Sequence, residues 1–201
     1  LVLIVIENLE PFSPWLLYEY EHAYELVGEA LLVTNVKEEK LKEELEKRGI
    51  RFREESVVEI LQELPKPWVV LEPKAEEELS PEEATGTVIV GGILGSHPPK
   101  GRTWQLLTSR LPDEVLKRNI GPHQFSIDGA VAMAWLISKG KRLKEIPIKV
   151  GLEIKVGEMP GMEIYDELPY AYPIIDGRVF FSEKVKEYLE KNLLGDRLSD
   201  L

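Results

Sequence analysis

Residues 87–100 read TVIVGGILGSHPPK: a β-favouring run, then glycines, then two prolines. Thr87 to Val90 shows no polar alternation, which is the pattern of a strand covered on both faces in a mostly parallel sheet. The residues after it are suited to leaving that strand sharply. Gly91, Gly92 and Gly95 allow backbone amides to approach a ligand, and Pro98 and Pro99 keep the chain from continuing as helix. Open α/β sheets bind ligands beyond the carboxyl ends of their strands, so this segment is either a ligand-cradling loop or a tight, constrained connection. It lacks the Gly-Lys-Ser/Thr of a nucleotide phosphate loop, and its glycine spacing is not the dinucleotide fingerprint.

Working outward, Leu1 to Ile6, Leu31 to Thr34 and Trp68 to Leu71 are three further apolar runs of strand length, and Val115 to Asn119 is another short one. Between them lie helix signals. Ser13-Pro14 predicts an N-cap and first helical residue for a helix running to Val27, and Lys37 to Arg48 carries favourable i,i+4 pairs, with Gly49 as C-cap. Ser56 with Glu59 is a capping box, and Ser80-Pro81 with Glu83 is a second start signal. Ile127 to Lys139 has helical apolar spacing through Val131, Ala134, Trp135 and Ile137. Ile146 to Val156 is strand-like, the Pro- and Tyr-rich stretch to Gly177 is read as loop, and Ser182 to Leu193 as a closing helix. Strands alternating with helices over the whole length predict an α/β layered fold.

The 201 residues are enough for one well-filled core, and no break in composition marks a second domain. Residues 1–201 are therefore read as a single domain. No apolar run approaches the ~20 residues that cross a bilayer. Leu1 to Ile6 is read as a first strand rather than a signal-peptide core, and the expected location is cytoplasmic. With no cysteine, disulfides, thiol nucleophiles and Cys-based zinc sites are excluded, and three scattered histidines predict no metal site. The net charge of −11 has the wrong sign for a chain that tracks long stretches of phosphate backbone and suits a basic partner instead.

A second segment resembles the first in design. Arg118 to Asp128 leaves a strand, turns at Gly121-Pro122 and enters the apolar helix, and Leu71-Glu72-Pro73 leaves its own strand at a comparable place. His97 and His123 can touch a ligand or hydrogen-bond their own loops, while His22 is read as a partly buried helix residue. Arg102 and Arg118 can bind a carboxylate or phosphate, or pair with surface acids. Trp15, Trp68, Trp104 and Trp135 are read as core, and Ser126 with Asp128 has no histidine at a telling sequence distance, so a hydrolase triad is not supported.

Gly91 to Thr103 (GGILGSHPPKGRT), with Arg118 to Gln124 and Glu158-Met159-Pro160, resembles the family described as predicted S-adenosylmethionine (SAM)-dependent RNA methyltransferases, of the SPOUT superfamily. The likeness runs from Ile6, Glu7, Ser13 and Trp15 to the tail at Leu198 to Leu201. One eukaryotic branch of that family methylates an arginine side chain on a protein of the small ribosomal subunit. The resemblance implies a mostly parallel sheet flanked by helices with a deep C-terminal trefoil knot, and SAM bent within three loops. By position these supply Leu71, Glu72 and Pro73; Gly91, Gly92, Ile93, Leu94, Gly95, His97 and Pro98; and Arg118, Asn119, Ile120, Gly121, Gln124, Phe125, Ser126 and Asp128.

What the resemblance implies chemically is a direct methyl displacement, which needs alignment, exclusion of water and a place for the released proton. A cationic guanidinium acceptor calls for a carboxylate beside it, and Glu7, Glu19 and Glu72 are the candidates. The first reading is an arginine methyltransferase acting on a small-subunit ribosomal or other basic protein, with a monomer favoured over a homodimer. RNA methylation and a non-catalytic knotted binding module are the alternatives. The chain departs from the eukaryotic branch at Ser96, where an acid is expected, and at Asn119-Ile120, which replaces a more basic pair.

Overall fold

The computed structural model describes residues 1–95 and 100–199, with side chains to residue 192. Apolar β-favouring runs become strands where both faces can be covered. Those strands are β1 (Leu3–Asn8), β2 (Leu31–Thr34), β3 (Trp68–Leu71), β4 (Thr87–Gly92) and β5 (Leu116–Arg118). Among the described residues they form a five-stranded, all-parallel sheet in the order β2-β1-β4-β3-β5. β4 is central, with Thr87 opposite both Leu3 and Trp68.

Side chains alternate across the sheet and divide the core in two. Ile4, Ile6, Val69, Leu71, Val88 and Val90 pack with helices α1 (Pro14–Val27), α2 (Glu39–Lys47) and α5 (Ile127–Ser138). Val5, Val70 and Ile89 point the other way, onto Val57 of α3 (Val57–Ile60) and onto Leu61, Leu107 and Val115. Helix α1 starts as its sequence predicts, with Ser13 Oγ accepting from the Leu16 amide and Pro14 in the first turn. The Ser56/Glu59 capping box is present at α3. None of the described helices is long and apolar enough to cross a membrane.

Three expectations are corrected. The stretch read as loop is strand: β6 (Ile148–Met159) and β7 (Met162–Ile175) form a long antiparallel hairpin extended by β8 (Arg178–Val179). Its inner face packs on Val185 and Leu189 of α6 (Glu183–Ser199) and on Trp15 and Tyr18 of α1. The Ser80 amide and Oγ both donate to Glu83 Oε1, yet the chain there makes only a turn, because Gly86 and β4 follow before a helix can propagate. Trp104 is 37% exposed on α4 (Arg102–Leu106), with Lys117 Nζ 4.8 Å over its ring, and so is not core.

Candidate active site

Parallel strands that end together leave their following loops at one edge, and the chain uses that edge. Residues 71–74 at the end of β3, Val90, Gly91, Ile93 and Gly95 in and after β4, and 120–127 leading into α5 line one cavity of about 350 Å³, closed on a further side by Lys100 to Thr103. Three segments far apart in sequence are thereby brought together. The floor is apolar, from Val90, Ile93, Ile120, Phe125, Ile127 and Ala130, while Lys74, Lys100 and Arg102 stand at the wall. Arg102 also pairs with Glu10 at 2.9 Å. Gln124, which also lines the cavity, has its Oε1 buried without a partner among the described residues.

The expected cofactor residues divide by place. Leu71, Glu72, Pro73, Gly91, Ile93, Gly95, Ile120, Gly121, Gln124, Phe125 and Ser126 line this cavity, and so does His123. His97 and Pro98, with Ser96 and Pro99, lie outside the described residues. Gly92 lies beneath the cavity: a Cβ there would stand 2.5 Å from Tyr20 Oη and 2.7 Å from the Glu7 carbonyl, so its substitution tests the fold and not the site. Arg118 is turned to Glu83 and Glu77, its Nη2 2.7 and 3.2 Å from their carboxylates. Asn119 braces its own loop, donating to the Ala75 carbonyl at 2.9 Å and accepting from the Gly121 amide at 3.0 Å.

Leu94 and Asp128 face a second, smaller cavity of about 130 Å³. It is lined also by Trp15, Glu19, Tyr170, Tyr172, Phe181 and Ser182, and it shares Gly95 and Ser126 with the first. Sequence reading missed most of its aromatic wall, since Tyr170 and Tyr172 belong to the segment taken for a loop. The hairpin is fastened to the first cavity's loops, with the Ala171 amide donating to the Gln124 carbonyl at 2.8 Å and Tyr170 Oη to the Gly95 carbonyl at 2.9 Å.

The three candidate carboxylates have different surroundings. Glu7 is fully buried and its oxygens accept from Thr34 Oγ1 at 2.7 Å, from the Val57 amide at 2.9 Å and from Ser56 Oγ. It ties β1 to β2 and to the start of α3, and lines neither cavity; the expectation that it faces the crevice is corrected. Glu7→Met should leave those donors without an acceptor and cost about 3 kcal/mol, read as a fall of roughly 10 °C in melting temperature. Glu72 lines the large cavity, with Oε2 accepting from the Lys74 amide at 2.7 Å and Oε1 from Thr108 Oγ1 at 3.1 Å. Glu19 lines the small one, with Oε1 accepting from the Ile127 amide at 2.8 Å. Burial pushes the Glu19 carboxyl well above the usual range, and the neighbouring Asp128 charge pushes it further, outweighing the Ile127 and Trp15 N–H groups that favour the anion.

The family profile described as "Protein arginine N-methyltransferase SFM1-like" matches residues 3–195. The chain belongs to the SFM1-like family. Protein arginine N-methyltransferase SFM1 of Saccharomyces cerevisiae is 29% identical over 208 residues, covering 94% of each chain. The crystal structure of yeast SFM1 complexed with SAM superposes with a TM-score of 0.82 at 25% identity, over 95% of this chain and 91% of the other. That of the complex with S-adenosylhomocysteine (SAH) gives 0.80 at 26%, over 93% and 94%. Trm10 of Thermococcus kodakaraensis, 18% identical with a TM-score of 0.54 over 72% and 96% of the two chains, shares the fold.

Proposed function

We propose that this chain methylates an arginine side chain of a basic protein, with SAM in the larger cavity and the acceptor arginine in the smaller one. It is a SAM-dependent methyltransferase of the SFM1-like family. The observation that carries the reading is the shared wall of Gly95 and Ser126, which sets an apolar, lysine-edged cavity beside one lined by carboxyls and aromatics. Gln124 Oε1 suits a donor such as an adenine amino group, and Lys74, Lys100 and Arg102 suit a methionine carboxylate. When bound, SAM supplies a methyl group activated by the sulfonium charge.

The chain's own residues orient the acceptor and manage its proton. Tyr170, Tyr172 and Trp15 give flat apolar walls for the guanidinium plane, and Glu19 receives the proton that the guanidinium nitrogen gives up. Two carboxyls in the acceptor cavity disfavour a phosphate-bearing strand, so protein is preferred to RNA. A small-subunit ribosomal protein is the substrate class that the family resemblance supports, in the cytoplasm and with a monomeric enzyme. Within the same proposal residues 1–201 act as one domain, and the loops after β3, β4 and β5 belong to a trefoil knot. Incubation with isotopically labelled SAM and a pool of arginine-rich basic proteins, followed by mass spectrometry, should place the label on arginine. Label on RNA alone, or on nothing, overturns the reading.

A further inference from the structure

The connection between β1 and α1 carries an acid with no part in the function proposed above. Glu10 follows the end of β1 by two residues, and its side chain is 13% exposed. One carboxylate oxygen, Oε1, accepts from the Leu94 amide at 3.1 Å and lies 2.9 Å from Nη1 of Arg102. Leu94 walls the smaller cavity and Arg102 the larger, while Glu10 itself lines neither. The Glu10 backbone is held from behind. Its carbonyl accepts from Asn8 Nδ2 at 3.2 Å, Asn8 Oδ1 accepts from Tyr20 Oη at 2.6 Å, and the Asn8 carbonyl accepts from Asn35 Nδ2 at 2.7 Å. A chain of hydrogen bonds thus runs from the packed body of α1 and β1 to the start of α4, at the wall of the larger cavity.

Arg102 needs such a support. Helix α4 has five residues and no side-chain cap, and an arginine on so short a helix must give up many rotamers to grip a ligand. Among the described residues its one ion pair is with Glu10. By charge alone that pair is a handicap, because an acid beside the cation lowers the positive potential offered to a ligand carboxylate. What it gives in return is direction. A guanidinium carries five N–H donors in a planar fork, so a contact through Nη1 fixes the plane and leaves donors for a second carboxylate. We propose that Glu10 is a positioning residue that aims Arg102 at the amino-acid carboxylate of the cofactor, so that the grip on the methionine half of SAM depends on an acid outside the cavity. This rests on the placement of SAM proposed above. The same Glu10 oxygen holds the Leu94 amide, so the chain leaving β4 and the helix that closes the cavity are set from one point.

Two ligands separate aiming from packing. Methylthioadenosine has the adenosine and thioether of SAH but lacks its amino-acid portion, so the pair isolates recognition of the carboxylate end. In calorimetric titrations Glu10→Leu should weaken SAH at least about tenfold and leave methylthioadenosine within about threefold of the parent. Glu10→Gln, whose amide oxygen can accept from both Leu94 and Arg102, should hold SAH within about threefold. Equal losses for the two ligands show that Glu10 only shapes the loop, and unchanged SAH affinity shows that it does not serve the cofactor; either result overturns the inference. Arg102→Met should weaken SAH at least as much as Glu10→Leu does, and adding Glu10→Leu to it should cost less than about threefold more. Fully additive losses overturn the action through Arg102. None of these measurements depends on turnover. A protein that shows the expected pattern and labels no arginine keeps the assignment of Glu10 and loses the acceptor reading alone, whereas a parent that binds neither ligand overturns the placement of SAM and the role of Glu10 together.

Discussion

Glu19→Gln should bind SAM as the parent does yet transfer methyl at least about a thousandfold more slowly, because the amide can neither balance a guanidinium nor take its proton. The same substitution should leave the fold intact or strengthen it. Glu19 is a buried carboxyl held well above its ordinary range by burial and by Asp128. In the pH interval between its unfolded and folded values the native state binds more protons than the unfolded one, so stability falls as pH rises through that interval. The parent should therefore lose melting temperature as pH rises above the ordinary carboxylate range, and Glu19→Gln should lose less, ending above the parent at pH 8. A variant that is both inactive and less stable at pH 8 would identify Glu19 as a structural acid. A cationic acceptor favours the ionised form of Glu19, so peptide affinity should increase with pH.

Gly91→Phe should remove cofactor binding, with an expected loss of at least about a hundredfold in calorimetric affinity for both SAM and SAH. A Cβ at Gly91 would meet Thr103 Cγ2 at 3.6 Å and Ile93 Cδ1 at 3.7 Å, ordinary contacts with two cavity walls. A phenyl ring continuing from it would occupy the space of the ligand, and an aromatic residue suits the end of a strand. Circular dichroism should be unchanged. Parent-like binding in this variant would show that the cofactor lies elsewhere, whereas the neighbouring Gly92 cannot serve as the same control because Tyr20 and the Glu7 backbone leave no space for a side chain.

Much of the parallel sheet was legible because its strands are buried on both faces, which leaves unbroken apolar runs such as Trp68 to Leu71. Helix α1 was legible because Ser13-Pro14 is a local signal. The hairpin was not, and its prolines explain why. Pro169 lies where the pairing of β6 and β7 shifts register, between Leu168 opposite Leu152 and Ala171 opposite Val150, so a residue that argues against a strand marks an irregularity inside one. Strand β7 also alternates imperfectly, since only part of its length is covered by α6 and α1.

The larger cavity was readable from glycine and proline placement after strands, because loops at the carboxyl edge of a parallel sheet must converge. Within them spacing could not separate residues that face the cavity from those that brace the loop, as Asn119 and Arg118 do. The smaller cavity was not readable at all. Its polar trio of Glu19, His22 and Asp128 joins residues more than a hundred positions apart through the packing of α1 on α5, and nothing local in either helix announces the meeting.

The strand order has a consequence for how the chain comes to be folded. β1 pairs with β2 early in the sequence, but its other edge waits for β4, so Leu3 finds its partner only when Thr87 has been synthesised. β3 waits for the same strand over a much shorter separation, and β5 then joins its outer edge. Contacts of such separation close slowly. The nascent chain thus emerges with apolar strand edges open until the central strand inserts, and the loop that follows that strand forms after it. The larger cavity cannot exist before β4 and the start of α5 are in place, and a chain arrested before β4 docks would expose its apolar edges to other chains.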